Sequence, residues 1–402
     1  MWLQATALFI LSALAGLVQP VPVAEDVATD YDAVIVGGGP SGLAALSALA
    51  RVRRKALLID SAEYRNQATR HMHDVLGFDG VTPAYYRWAA RKQIAYYETV
   101  DMKNGTVVKI EPLRQPRSNN TYFRVTDRAA NGTRCVVTAR KVVLGTGLRD
   151  LLPGTPGLRE NWGKGIYWCP WCDGHEHADQ SLGLLSSLDE VPGLVREILT
   201  LNKDIVAFVN GSDTPAMRAA TGSKEPQWEE YLRIHNVRIE NATLQAIERL
   251  ADGGAEHQDP SLPTAPEYDK FNVRLADGRV VERDAFFTSF KNEQASRIGQ
   301  DSGVKLTSGG RLMVDPTKGL VTNIPGVYAI GDANSDNVTN VPHALFSGKR
   351  TGVFLHVQLE RENAAQELGK VAKRSIHQEA RDLWDHVNGD QGDVLYAGPF
   401  DQ

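Results

Sequence analysis

The chain is poor in cysteine. Three cysteines in 402 residues are too few to staple a secreted scaffold by disulfides. It also lacks a strong excess of one charge: 44 basic side chains face 49 acidic ones, for a net charge of −5. A nucleic-acid binder would carry a basic stripe, and none is present. Charged residues make up 23% and apolar residues 42%, a globular balance that excludes global disorder. Long hydrophobic runs are scarce. Residues 3–18 form one, too short for a membrane span and of the size of a signal-peptide core. Its start lacks Lys and Arg, but Ala13 and Ala15 supply a small-x-small cleavage pattern, and Ala24 is a later candidate. Residues 1–24 are therefore expected to be a signal peptide, with an uncleaved anchor as the alternative. No stable membrane partner and no nucleic-acid partner are expected.

The scarce cysteines are not scattered. Cys169-Pro170-Trp171-Cys172 is followed at once by Asp173-Gly174. Two residues between cysteines on one helical turn bring the sulfurs within bonding range. Such a pair can switch between dithiol and disulfide and so carry two electrons, and a thiolate at a helix start is a competent nucleophile. A structural disulfide is the plainer alternative. A zinc site would need a second pair; Cys135 alone does not supply it, and His175 and His177 lack the usual spacing, so no metal is expected. Cys135 lies in an apolar strand and reads as a buried core thiol.

Six N-x-[ST] triplets, at Asn104, Asn119, Asn131, Asn210, Asn241 and Asn337, join the leader in pointing to a secretory or extracellular, N-glycosylated protein. In that oxidising route a redox pair is readily kept as a disulfide.

Two strand–helix–strand units flank the cysteines. In the first, the apolar run at residues 31–36 reads as a buried strand, 43–50 as a small-residue helix, and 55–59 as a second strand ending at Asp60. Between strand and helix stands Gly37-Gly38-Gly39-Pro40-Ser41-Gly42. Gly37, Gly39 and Gly42 fit G-x-G-x-x-G: the first permits the turn, the second lets backbone approach a pyrophosphate, the third lets helix and strand pack. The helix N-terminus then faces phosphates, and Asp60 is placed to accept from ribose hydroxyls. Further on, Gly145-Thr146-Gly147 ends a strand-rich segment. The second unit reads as a strand at 181–185, a helix at 191–201 and a strand at 204–209. A last buried strand at 327–330 runs into Gly331-Asp332, and a helix follows at about 342–362.

These motifs, in this order, resemble the thioredoxin reductase-like, FAD-dependent pyridine nucleotide-disulfide oxidoreductases (class II). His71-Met72-His73-Asp74 and Asn340-Val341-Pro342-His343-Ala344 resemble their fungal, gliotoxin-type dithiol oxidase branch. The resemblance covers residues 30–360. It implies an α/β protein of two Rossmann-like three-layer ββα domains. The FAD-binding domain is discontinuous, at 25–160 and 299–362, with the CxxC domain inserted at 161–298; a charged tail, 363–402, follows. It implies FAD held by Gly37, Gly39, Pro40, Ser41, Gly42, Asp60, Gly145, Thr146, Gly147, Gly331 and Asp332, with His343 and Ala344 near the flavin ring. Cys172 faces the flavin, Cys169 exchanges with substrate, and Asp173 manages protons. A homodimer is implied as well.

One element departs from the thioredoxin reductase pattern. The second unit should carry a glycine loop for NADPH, yet its turn is Ser186-Ser187-Leu188-Asp189-Glu190. Side chains there obstruct a pyrophosphate and two acids repel it. Nor does an arginine pair follow Phe208-Val209-Asn210-Gly211 to hold a 2′-phosphate. Electrons are then expected to enter from a small-molecule dithiol and leave to O2 as H2O2. The alternatives are an NADPH-dependent disulfide reductase and a flavoprotein whose CxxC no longer turns over. Trp168 and Trp171 line either a substrate pocket or the core. His71 and His73 stand either near the flavin or as a structural pair.

Overall fold

The computed structural model describes residues 26–254 and 265–371. The leader read at 1–24, the middle of the Pro/Gly/Asp-rich excursion at 252–269 and the tail beyond 371 lie outside the described residues. The first segment runs β1 (Tyr31–Val36), α1 (Pro40–Arg51), β2 (Ala56–Asp60), α2 (Pro83–Ile94), β3 (Val100–Asn104), β4 (Thr106–Arg114), β5 (Thr121–Arg128) and β6 (Arg134–Leu144). After the linking strand β7 (Leu148–Asp150), the inserted segment holds β8 (Ile166–Tyr167), α3 (Pro170–Asp173), β9 (Leu182–Leu185), α4 (Val191–Ile198) and β10 (Ile205–Phe208). It continues through α5 (Pro215–Lys224), α6 (Trp228–Ile234), β11 (Arg238–Glu240), β12 (Leu244–Ala251), β13 (Lys270–Leu275), β14 (Val280–Arg283) and β15 (Ala285–Thr288). The chain returns by β16 (Asn292–Gln294), α7 (Ile298–Asp301), β17 (Val314–Asp315), β18 (Val321–Thr322), β19 (Val327–Ala329) and α8 (Val341–Val371).

Both domains are three layers deep. In the first, β19, β6, β1, β2 and β3 lie side by side and parallel, with β17–β18 at one edge. β1 and β2 are buried on both faces, which is why they read as unbroken apolar runs. Ala33, Ile35, Leu58 and Val143 meet Leu43, Leu46 and Leu49 of α1 and Leu355 and Leu359 of α8 on one face. Val34, Val36, Leu57 and Leu144 meet Val107, Ile110, Phe123 and Val125 of the β4–β5 hairpin on the other. Burying each such side chain contributes ~1.5–3 kcal/mol. The inserted domain repeats the plan. Its parallel sheet, β11-β10-β9-β15-β8, has α4 and α6 on one face and the antiparallel β12–β14 sheet on the other. The antiparallel pair β7–β16 carries the chain between domains.

Register brings the strand ends to one edge: Val36 stands opposite Ile59 and Leu144, and Ala329 opposite Leu144. Gly37, Asp60, Gly145 and Gly331 therefore emerge at the same carboxyl end of the sheet, where α/β folds bind ligands. α8 closes over α1 nearly backbone to backbone. A Cβ on Gly348 would lie 2.1 Å from the Ser41 carbonyl oxygen, and one on Gly352 2.6 Å from the Ala48 Cβ. α8 also continues past residue 362 to Val371, through the good helix formers Ala364, Ala365 and Glu367. One expectation is corrected. Cys135 is exposed, because β6 begins as the outer arm of the β5–β6 hairpin and reaches the core only from Ala139 onward.

Candidate active site

A cavity of about 480 Å³ opens at the carboxyl edge of the first sheet. Gly37, Gly39, Pro40 and Ser41 line it from the β1–α1 loop, Gly145, Thr146 and Gly147 from the end of β6, and Asp332 and Ala344 from the last segment. Gly37 has φ +108°, and its added Cβ would lie 2.3 Å from the Gly145 oxygen. Gly42 sits behind the wall, where a Cβ would meet the Gly37 oxygen at 1.9 Å. Gly331 is likewise a packing glycine, its N–H bonded to Ser347 Oγ at 2.8 Å. At Gly39 a side chain would point into open space, and this helix-capping residue carries no side-chain cap. The N–H groups of α1 are thus left facing the cavity.

Asp60 is not on the wall. Its buried carboxylate accepts from Gly38 N–H (3.1 Å), Ala62 N–H (3.0 Å) and Tyr64 O–H (2.5 Å), and it pairs with Arg91. It braces the glycine loop from behind, where the sequence expectation put it on a ribose. This also explains Gly38: a Cβ there would fall 2.2 Å from the Asp60 carboxylate. His343 does not line the cavity either. On the first turn of α8 its neighbours Val341, Pro342 and Ala344 face inward, while its Nε2 lies 2.7 Å from Asp336. Residues 100° apart on a helix cannot all share one face.

The cysteines form a disulfide on the adjoining rim. Cys169 caps the single-turn α3 and is 6% exposed; Cys172 and Asp173 line the cavity, and Trp171 is 71% exposed. Arg65 ties this rim to the first domain. It holds Asp150 through two bonds (2.7 and 3.0 Å) and Asp332 through a third (2.9 Å), with the Trp168 ring 4.1 Å from its guanidinium. Burial raises the Asp332 carboxyl, against the pull of Arg65. Arg65 lies in a polar loop, and no local pattern singles it out.

Behind the disulfide lies a polar cluster of Arg70, His71, His73, Tyr167, Asp173, Glu176, His177 and Glu267. Arg70 bonds Glu267, bonds Asp269 twice (2.8 and 2.9 Å) and reaches Asp252 (2.5 Å). Burial works to raise the Glu267 carboxyl, but bonds from His71 (3.0 Å) and Arg70 hold it down at about 2. Tyr167 O–H donates to it at 3.1 Å. Asp173 is driven the other way: burial, then the charges of Glu176 and Glu267, push its carboxyl well above the ordinary range, with Arg70 opposing. A carboxyl raised in this way is a candidate acid–base group beside the disulfide. His177, Glu267 and Asp269 have ligand atoms within 4.8 Å of one another. Arg70 and Arg249 already neutralise the two carboxylates, so the cluster is complete without a cation.

The second unit is built differently from the first. Its turn becomes a short 3-10 segment, Leu188–Glu190. The Leu188 side chain is fully buried, and its N–H donates to Ser212 Oγ at 3.0 Å. Ser187 Oγ donates to Asp189 (2.6 Å), and Lys224 holds Glu190 (2.5 Å) and approaches Asp189 (3.5 Å).

Residues 31–185 match the family described as pyridine nucleotide-disulphide oxidoreductase. A protein of Arthroderma benhamiae named "Probable thioredoxin reductase" is 48% identical over 342 residues, covering 85% of this chain and 83% of its own. The chain belongs to this oxidoreductase family. Thioredoxin reductase tcpT of Claviceps purpurea is 29% identical over 82% of this chain and 94% of its own. Among solved structures, that of HlmI superposes with a TM-score of 0.68 at 27% identity, over 85% of this chain and 96% of its own. The protein is accordingly a thioredoxin reductase-like disulfide oxidoreductase and a flavoprotein, and FAD is its cofactor. The cavity fits it. Thr146 Oγ1 is buried there without a hydrogen-bond partner among the described residues, the Gly39 face is open, and the α1 N-terminus suits a pyrophosphate.

Proposed function

We propose that the protein is an FAD-dependent thiol oxidase that closes a small-molecule dithiol to a disulfide, with O2 as acceptor and H2O2 as product. The observation that carries this reading is the second unit. Where a pyridine nucleotide would need bare backbone N–H groups, Leu188 N–H is already bonded to Ser212, and Asp189 and Glu190 occupy the turn. Cys172, by contrast, faces the FAD cavity directly. An electron supply through thiols remains open while the nicotinamide route is obstructed. FAD, when bound, supplies a two-electron acceptor that O2 can reoxidise.

The chain's own residues perform the rest. A substrate thiolate attacks the disulfide at Cys169, and its second thiol resolves the mixed disulfide, leaving Cys172 to pass the electron pair toward the cavity. Asp173, whose carboxyl is raised by burial and its acidic neighbours, protonates the departing thiolate and takes the proton back from the next thiol. Cys169 is buried in the disulfide state, so the exposed Trp171 beside it is the apolar contact offered to an incoming substrate. The fungal relatives tcpT and aclD support a place in fungal secondary metabolism. All six sequon asparagines are exposed, which supports a glycosylated protein of the secretory route.

Relatives named thioredoxin reductase favour a second reading, NADPH-dependent disulfide reduction. Oxygen uptake separates the two. With a dithiol and air, the oxidase consumes one O2 and forms one H2O2 per disulfide closed, with no nucleotide present. A protein that takes up oxygen only when NADPH is added is not this oxidase.

A further inference from the structure

Substrate must reach Cys169, yet this residue is 6% exposed while Cys172 faces the cavity. Two domains joined by a short linker move relative to one another by default, and a swing of the inserted domain would uncover Cys169. The linker itself opposes that motion. Its two strands pair from Leu148 opposite Gln294 to Asp150 opposite Asn292. At the inner end, Ala295 N–H donates to the Gly147 oxygen at 3.1 Å, and Gln294 Nε2 donates to the Gly310 and Ala333 oxygens of the FAD-binding domain, both at 3.0 Å. At the outer end, Arg65 grips Asp150 through two bonds and Asp332 through a third, with the Trp168 ring 4.1 Å from its guanidinium. Both ends of the ribbon are therefore fastened to the first domain.

A second tie lies away from the linker. Arg70, on the same loop as Arg65, bonds Asp269 twice (2.8 and 2.9 Å), Asp252 (2.5 Å) and Glu267, and His71 Nδ1 lies 3.0 Å from Glu267. Backbone touches backbone there as well: a Cβ on Gly163 would lie 2.8 Å from the Ala68 carbonyl carbon and from the Thr69 nitrogen. A hinge needs a few residues free to change φ and ψ, and a rotation here would have to break both ties at once.

We infer that Arg65 and Arg70 are positioning residues that hold the two domains in one orientation through the whole catalytic cycle. This rests on the oxidase reading above: with thiols as the electron source, no second ligand has to take the place of Cys172 at the flavin. Substrate then reaches Cys169 in place, past the exposed Trp171, and Cys172 stays at the cavity in both redox states.

The test fixes the orientation covalently. A Cβ added at Gly254 would lie 2.3 Å from Arg70 Cδ, so Arg70→Cys with Gly254→Cys sets two thiols across the domains within bridging range. In a Cys135→Ser background, with Cys169–Cys172 left as the disulfide, dibromobimane joins them by thioethers that dithiothreitol cannot cleave. Bridged and unbridged FAD-loaded proteins are then mixed anaerobically with dithiothreitol. Bridging should leave the rate of flavin bleaching within about twofold of the unbridged parent, whereas a loss of about tenfold or more on bridging overturns the inference and leaves the oxidase reading standing. Where the parent fails to fold or to keep FAD, deuterium exchange on the wild type decides instead. Peptides spanning 65–73 and 292–296 should take up no more deuterium after anaerobic reduction by dithionite than before it; faster uptake in both on reduction overturns the single orientation. Dithionite supplies no thiol, so this arm also decides where no dithiol bleaches the flavin, a result that by itself refutes the oxidase reading.

Discussion

Replacing Arg70 by Met removes a guanidinium that joins the loop after β2 to the acids of the inserted domain. The side chains of Glu267 and Asp269 are 4% and 0% exposed, so neither can turn to water. Asp269 keeps Arg249 and the Gly253 N–H at 3.0 Å; Glu267 keeps His71 and Tyr167, with His177 3.9 Å away, and no second arginine or lysine among the described residues. The variant therefore strands about one buried carboxylate, a change that costs about 3–5 kcal/mol. The depression of Glu267 from 4.5 to about 2 is shared between the His71 bond, Arg70 and His177, so its full worth, about 3 kcal/mol, is a ceiling on what Arg70 supplies through this carboxyl. The pH dependence follows from the sign. A carboxyl with a depressed folded pKa contributes stability above its unfolded value, and that contribution fades as pH falls from 4.5 through about 2. Urea unfolding, followed by flavin release and far-UV dichroism, should show Arg70→Met weaker by about 3 kcal/mol near pH 7, with the gap shrinking below about pH 4.5. Adding Glu267→Gln to the variant should recover part of the loss. A gap under about 1 kcal/mol, or one that ignores pH, would refute the claim that this buried pairing joins the domains.

Other expectations follow from single residues. Gly42→Ala forces a contact of 1.9 Å to the Gly37 oxygen, so the protein should purify colourless, or lose FAD on gel filtration at least tenfold faster than wild type. Cys172→Ser, incubated with the disulfide product rather than the dithiol, should hold it as a mixed disulfide on Cys169 through thiol–disulfide exchange, visible as an added mass that dithiothreitol removes, whereas Cys169→Ser should not; the opposite pattern would exchange the two roles. Asp173→Asn should slow turnover by about a hundredfold and remove one limb of the pH–rate profile. Because burial raises the Asp173 carboxyl, its unfavourable ionisation weakens the fold as pH climbs above 3.8, so the Asn variant should equal or exceed wild-type stability near neutrality and lose that advantage below 3.8.

The first nucleotide unit was legible because its determinants are local. A buried strand, three spaced glycines and a small-residue helix occur within residues 31–51, and backbone geometry allows them few other arrangements. The cysteine pair was legible for the same reason, and so was the glycine-free turn at 186–190. What escaped depends on which partner or solvent the folded chain presents to each side chain, near or far. Asp60 ends β2 where expected, but Arg91 and Tyr64 claim its carboxylate. His343 sits in the right motif and turns to Asp336 because of its place on the helical turn. Cys135 has apolar neighbours and still stands outside, on a hairpin arm that overshoots the core. Arg65 and Arg70 were invisible as loop charges. Their acids lie 85 to 267 and 182 to 199 residues away, a pairing that only the tertiary fold decides.

The direction of electron flow is the central claim, and anaerobic reduction of the bound flavin tests it most directly. Stoichiometric dithiothreitol should bleach the yellow protein within the time of turnover, and air should restore the colour with release of H2O2, while NADPH and NADH leave the spectrum unchanged. Rapid bleaching by NADPH, with dithiols inert, would show that the turn at Ser186–Glu190 admits a nucleotide after all and would contradict the account.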